Sequence, residues 1–161
     1  MATRHTRSVP AVLLIVAGAL MALGSLVSGI PMPSGNWFLW TFLLGDLALA
    51  VAFILLANSF THRLGRLWLY LAAAGWAIYG LSGAAGIIAV LSYLGAIVAI
   101  VFGIIGAVVV YRQKFFTPRA STLFLVSNIL GALFLLYPIT LLTLAFGAAL
   151  IVTGVFVQQR R

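Results

Sequence analysis

The chain has 161 residues, of which 65% are hydrophobic and 6% charged, more apolar side chain than the core of a soluble protein of this length could bury. Nine Lys and Arg against a single acid give a net charge of +8, and the absence of Cys excludes disulfides, thiol chemistry and cysteine metal sites. What remains is an integral membrane protein, with almost no length left over for a soluble catalytic domain.

A bilayer core of about 30 Å takes about 20 helical residues to cross, and apolar stretches of that length follow one another along the chain. The first covers 10–29 and runs into PMPSGN, whose Pro and Gly cannot continue a helix. Its basic start, MATRHTR, followed by an apolar run, has the outline of a secretory signal. The uninterrupted apolar length and the loop pattern downstream favour a retained helix instead. The second stretch covers 37–58. Beyond SFTHRLGR, the apolar segment from 67 to 111 is too long for one crossing, and the small, flexible GLSGAAG divides it into 67–82 and 86–111. The segment from 122 to 157 divides at Tyr137 and Pro138 into 122–137 and 139–157, because Pro fits the first turn of a helix better than its interior. The expected fold is all-α, a single transmembrane domain over 1–161 made of six helices in three sequential hairpins.

Lys and Arg gather in cytoplasmic loops, so their distribution tests this division independently of hydropathy. Arg4 and Arg7 precede the first span, Arg63 and Arg66 separate the second and third, Arg112, Lys114 and Arg119 separate the fourth and fifth, and Arg160 and Arg161 close the chain. All fall on one side, which predicts a multi-pass protein of the cell (cytoplasmic) membrane with both termini cytoplasmic. The cations are dispersed over four short segments without a recognition motif, which speaks against nucleic acid and for membrane lipids as partners. Trp37, Trp40, Tyr93 and Tyr137 then fall toward the outer interface, and Trp68, Tyr70 and Tyr111 toward the inner one. Trp76 fits neither belt and reads as a packing residue.

Small residues recur in register. Gly18, Gly75 and Gly131 stand at intervals of 57 and 56 residues in the first helix of each hairpin, and the second helices carry Gly45 and Ala52, Ala99 and Gly106, and Gly147 and Gly154, each pair seven apart. In lipid such positions let helix backbones approach closely. Gly18, Ala22, Ser25 and Gly29 share one face by their three- and four-residue steps, and Gly95, Ala99 and Gly103 share another. The hairpin TLFLVSNILGALFLLYPITLLTLAFGAALIVTGVFVQQRR resembles the repeat of the HdeD family of bacterial acid-resistance membrane proteins, in which a Gly-containing helix, a Pro near the turn and a second helix with spaced Gly lead to a basic exit. The middle hairpin resembles that pattern less, and the first departs from it through SGIPMPSGNW and Asp46. The resemblance implies six helices in three hairpins, an inner-membrane location and a link to acid stress; it supplies no catalytic residues.

Asp46, the only carboxylate side chain, lies mid-way along the second span in WTFLLGDLALAVAFILL. A charged carboxylate at that depth costs roughly 2.5 to 3.5 kcal/mol on insertion scales, so such residues usually face a bundle interior and often mark ion or proton routes. His62, sixteen residues on, would be about 24 Å away along a continuous helix and is no direct partner. The alternative is a protonated Asp46 acting as interhelical hydrogen-bond glue, with Asn128 of the fifth span as the foremost mate and Ser25, Ser127 and Thr143 as lesser ones.

No nucleophile has a base and an orienting group at workable spacing, His5 and His62 are loop residues, and metal ligation fails on ligand count, so an enzyme is not expected, nor a cofactor or bound metal. The Gly-rich segments lack the strand, loop and helix setting of a phosphate-binding motif. Three functional readings stay open: a structural or interaction role with a stress link, a proton- or ion-linked channel or transporter using Asp46, and an accessory subunit of a larger membrane complex. A homo-oligomer would bring several copies of Asp46 to a shared axis.

Overall fold

A computed structural model describes residues 5–28, 37–60, 62–85, 89–137 and 140–158. They form six α-helices: α1 (His5–Ser28), α2 (Trp37–Asn58), α3 (Arg63–Ala85), α4 (Ala89–Arg112), α5 (Pro118–Leu136) and α6 (Thr140–Gln158). Helices are what an apolar chain must form in lipid, since every backbone N–H and C=O there needs a partner within the segment. Five of them, α1, α2, α4, α5 and α6, are long and apolar enough to cross a membrane. In α3 the arginines at 63 and 66 and the Gly, Ser, Tyr and Trp along its length dilute the apolar content.

The helix ends on the cationic side are stopped by local chemistry. After α2, the Ser59 N–H turns back to Leu56 O at 3.0 Å and Ser59 Oγ donates to Leu55 O at 2.9 Å. After α4, Lys114 adopts the left-handed region with φ 50°, which lets its N–H reach Tyr111 O and the Phe115 N–H reach Val110 O, both at 3.2 Å. That pair of bonds is a Schellman closure with Lys in the usual Gly place. Thr117 Oγ1 caps α5 by accepting the Ala120 N–H at 3.1 Å, and Pro118 follows at the first helical position, where its missing N–H costs nothing. At the far end the Tyr137 N–H donates to Leu133 O at 2.8 Å and closes α5.

Consecutive helices pack side by side, and α1 also packs on α6, so the six close into a ring in which each helix backbone approaches only those of its two neighbours among the described residues. Facing pairs run in opposite order, Gly18 on Gly147 and Ala11 on Gly154 between α1 and α6, Gly75 on Ala99 and Tyr79 on Gly95 between α3 and α4. The neighbours are therefore antiparallel, which puts Arg7, Arg63, Arg66, Arg112, Lys114 and Arg119 at one end of the ring. Trp40, Tyr93 and Tyr137 lie at the other end, all well exposed.

Aromatic side chains fill the middle of the ring in two groups. Toward the cationic end, Phe60 stacks on Phe115 at 4.4 Å between centroids, and contacts continue through Phe116 and Phe124 to Phe53. Toward the other end, Phe42, Phe134, Phe146, Trp76 and Tyr79 form a second chain of contacts. Phe53 and Phe42 belong to α2 while Phe124 and Phe134 belong to α5, so helices that do not touch by backbone are joined through rings. The outer surface is apolar on every helix, with Val12, Leu44, Ile78, Ile97, Ile129 and Val152 all exposed. Buried positions hold Ser25, Asp46, Ser82, Ser121, Ser127, Asn128, Thr143 and Thr153. Apolar outside and polar within is the arrangement a lipid surrounding selects.

Several boundaries differ from the sequence expectation. Helix α1 begins before Pro10, which sits inside it. The segment divides where expected, but with its boundary shifted: α3 continues through Gly80, Ser82 and Gly83 to Ala85 and α4 begins at Ala89, and Gly86 lies outside the described residues. Gly and Ser end helices readily in water, where the freed backbone is solvated, but not where the only partners are in the helix itself. Helix α5 starts at Pro118, not 122, because the Thr117 cap sets it there. Gly29, Pro138, the PMPSGN loop and the last three residues fall outside the described residues.

Candidate functional site

Helix α2 uses two adjacent residues to meet two helices. Gly45 faces α1, where a Cβ would lie 3.1 Å from Met21 Cγ and 3.4 Å from Ala17 O. Asp46, turned about 100° further round the helix, faces α3, with its own Cβ 2.7 Å from where a Cβ on Gly80 would be. Gly80 therefore makes the room in which the carboxyl group sits. Asp46 is 3% exposed, and its Oδ1 has no hydrogen-bond partner. Tyr79, beside Gly80 in sequence, is within electrostatic range of the carboxyl group.

A second buried polar atom without a partner lies one turn away on α3, the Trp76 indole Nε1. Trp76 is 3% exposed, stacked on Phe146 at 5.6 Å and edge-on to Tyr79 at 6.3 Å. Asp46 thus lies beside the second aromatic group, with Tyr79 and Gly80 near its level on α3, Trp76 one turn nearer the cationic end, and Phe42 one turn toward the opposite end on its own helix.

A third such atom, Ser121 Oγ, lies near the start of α5, and the remaining buried polar residues described next are hydrogen-bonded. Asn128 Nδ2 donates to Phe124 O at 2.8 Å, one turn back on α5, and its Oδ1 would lie 2.8 Å from a Cβ on Gly103 of α4. Asp46 and Asn128 are thus aimed at different helices, α3 and α4, and the interhelical bond expected between them is not formed. Ser127 Oγ and Thr153 Oγ1 bridge α5 and α6 at 3.0 Å, and Ser25 Oγ donates to Thr140 O at 3.2 Å between α1 and α6. Ser82 and Ser92 hydroxyls meet at 2.8 Å between α3 and α4. His62 is exposed in the α2–α3 connection, and among the described residues no group of His, Cys, Asp or Glu is placed to hold a metal ion.

The small residues of the sequence motif divide among different seams. Gly18 and Ala22 lie on Gly147, and Gly154 on Ala11 and Ile15, so the spaced glycines of α6 close the ring against α1. Gly75 lies on the backbone of Ala99 and Gly95 on that of Tyr79 within the second hairpin, while Gly106 meets Leu69. Gly131 takes the edge of Phe146, and Gly103 faces α5 rather than the α3 seam that Gly95 and Ala99 share. Positions equivalent in the repeat therefore do different jobs, Gly75 packing within its hairpin and Gly18 between the first hairpin and the third.

Gly80, Tyr79 and the Trp76 indole nitrogen were not legible as surroundings of Asp46, because nothing in a single sequence reports which α3 face meets α2. No family model, no curated protein and no solved structure matches the chain.

Proposed function

We propose that the chain is a six-span, HdeD-like protein of the cytoplasmic membrane, with both termini on the cytoplasmic side, acting as a non-enzymatic structural or interaction component with a link to stress. The observation that carries this reading is the filled interior: aromatic side chains pack the middle of the ring at the level of Asp46 and from there toward the cationic end. A ring closed on itself around a packed core supports a scaffold in lipid more than a conduit. The antiparallel ring, in which α3 lies between two apolar helices, supports a sixth crossing. The stress link rests on the resemblance of the last hairpin to the HdeD repeat.

A second reading is proton-linked transport through Asp46. It is favoured by one observation, the buried Oδ1 without a partner, because intramembrane acids lacking a structural bond often serve proton or ion movement. The two readings separate in proteoliposomes under an imposed pH gradient, comparing wild type with Asp46→Asn at matched reconstitution. The structural reading expects the same passive flux from both proteins and from empty vesicles. A wild-type flux that Asp46→Asn abolishes, with folding intact, would replace it by transport. Co-purification addresses the third role, accessory subunit of a larger complex, which a stoichiometric partner in mild detergent would favour over a lone homo-oligomer.

A further inference from the structure

At the cationic end, the first two turns of α3 shape a cleft of about 450 Å³ lined by Arg63, Leu64, Arg66, Leu67 and Tyr70. These residues stand on one face of α3, so the site is open toward the outside of the ring. Arg63 and Arg66 are three residues apart and so neighbours on the helix surface, where two like charges repel. Neither can find a side-chain carboxylate: the chain has one acid, Asp46, and it is buried between α2 and α3. The arginine pair thus has no counter-ion of its own, and it stands on a helix N-terminal turn, whose dipole also favours an anion.

The rest of the lining narrows the class of anion. Leu64 and Leu67 are exposed by 56% and 46%, which leaves apolar surface directly beside the two guanidinium groups. Tyr70 is held as a wall of the cleft by its hydroxyl, which donates to Asn58 Oδ1 at the end of α2. A small inorganic anion would use the charges and leave the leucines in water. A phospholipid uses both, its phosphate between the arginines, which bind such groups through paired N–H donors, and the start of its acyl chains along the leucines.

We infer that this cleft is a binding site for an anionic phospholipid headgroup, with Arg63 and Arg66 as the phosphate ligands. The inference rests on the membrane reading above and adds to it a defined lipid contact in place of a general attraction of basic loops to the bilayer.

The test uses the full chain in nanodiscs of equal phosphatidylglycerol and phosphatidylcholine, with retained lipid read by native mass spectrometry. Wild type is expected to hold phosphatidylglycerol preferentially, and Arg63→Gln/Arg66→Gln to lose about tenfold of that preference. Arg112→Gln/Arg119→Gln, with the same charge change at the same end, is expected to keep it. Arg63→Lys/Arg66→Lys, which keeps the charge, is expected to recover part of it and guards against a folding artefact. Equal losses in the two Gln pairs would reduce the effect to diffuse charge and overturn the site, as would an unchanged preference in the first. Displacement of the lipid by millimolar inorganic phosphate would reassign the cleft to a free anion and overturn the lipid. Failure of wild type to enter the nanodisc would sink the membrane reading itself; entry with no lipid preference would sink only the cleft.

Discussion

Asp46 and Gly80 occupy one space from two helices, and the size of the second residue is set by the side chain of the first, beginning at its Cβ. With a carboxyl group at 46, any side chain at 80 would begin 2.7 Å from the Asp46 Cβ, well inside contact distance. Overpacking of this kind costs typically about 1 to 3 kcal/mol, so Gly80→Val is expected to lower the melting temperature in detergent. Removing the opposite Cβ should relieve it: Asp46→Gly in the Gly80→Val background is expected to recover most of the loss, with a coupling in the double-mutant cycle of about 1 kcal/mol or more. Additive effects would separate the two residues. The acid itself was visible as an anomaly of composition, one carboxylate in an apolar run. Its neighbour was not, because Gly80 reads in sequence as part of a flexible break when its place in the fold is the wall of a buried polar site.

Among the helices, the seams are of two kinds. Between α1 and α6 and between α3 and α4, glycine lets backbone meet backbone: a Cβ on Gly147 would lie 2.6 Å from Gly18 O, and one on Gly95 2.6 Å from Tyr79 N. Around α5 the contacts are made by side chains, Asn128 toward Gly103 and Phe146 toward Gly131. A backbone cannot yield as a side chain can, and helix association in lipid depends on such close packing. Gly147→Leu is therefore expected to destabilise the protein by about 2 kcal/mol or more, and Gly103→Leu by less than about 1 kcal/mol, since the Asn128 amide can rotate away. Thermal unfolding of the two variants in the same detergent decides it; equal shifts would remove the distinction. The helices themselves were legible because apolar runs of spanning length and the Pro and cation punctuation mark them. Their small residues were legible as contact points, but not their partners. Repeat positions look alike in sequence, whereas in the ring Gly18 and Gly147 meet across two hairpins and Gly75 meets Ala99 within one.

The ring as a whole puts a constraint on α3 that its own composition does not. Judged alone, α3 is the least apolar of the six, opened by two arginines and interrupted by Gly, Ser, Trp and Tyr. Judged by its neighbours, it lies antiparallel between α2 and α4 along its length, through Gly80 on Asp46, Gly75 on Ala99 and Leu69 on Gly106. Beyond its first two turns its polar groups face inward, as with the Ser82 and Ser92 hydroxyl pair, and Ile78 and Leu81 face out. If α2 and α4 cross the bilayer, α3 crosses with them, and a helix of modest hydropathy is stabilised by packing where lipid alone would not hold it. The topology follows from that crossing, and the lack of native Cys makes it directly measurable. Single cysteines at Lys114, in the α4–α5 connection, and at Tyr93 and Tyr137, at the opposite end, are expected to label from opposite sides of the membrane. In intact cells a membrane-impermeant maleimide should reach Tyr93→Cys and Tyr137→Cys and leave Lys114→Cys unmodified until the membrane is opened. A further cysteine at His62, exposed in the α2–α3 connection, that labels from the same side as Tyr93→Cys would mean that α3 does not cross. The ring would then have to open between α2 and α4, and the shared end of Arg63, Arg66, Arg112, Lys114 and Arg119 would no longer face one compartment.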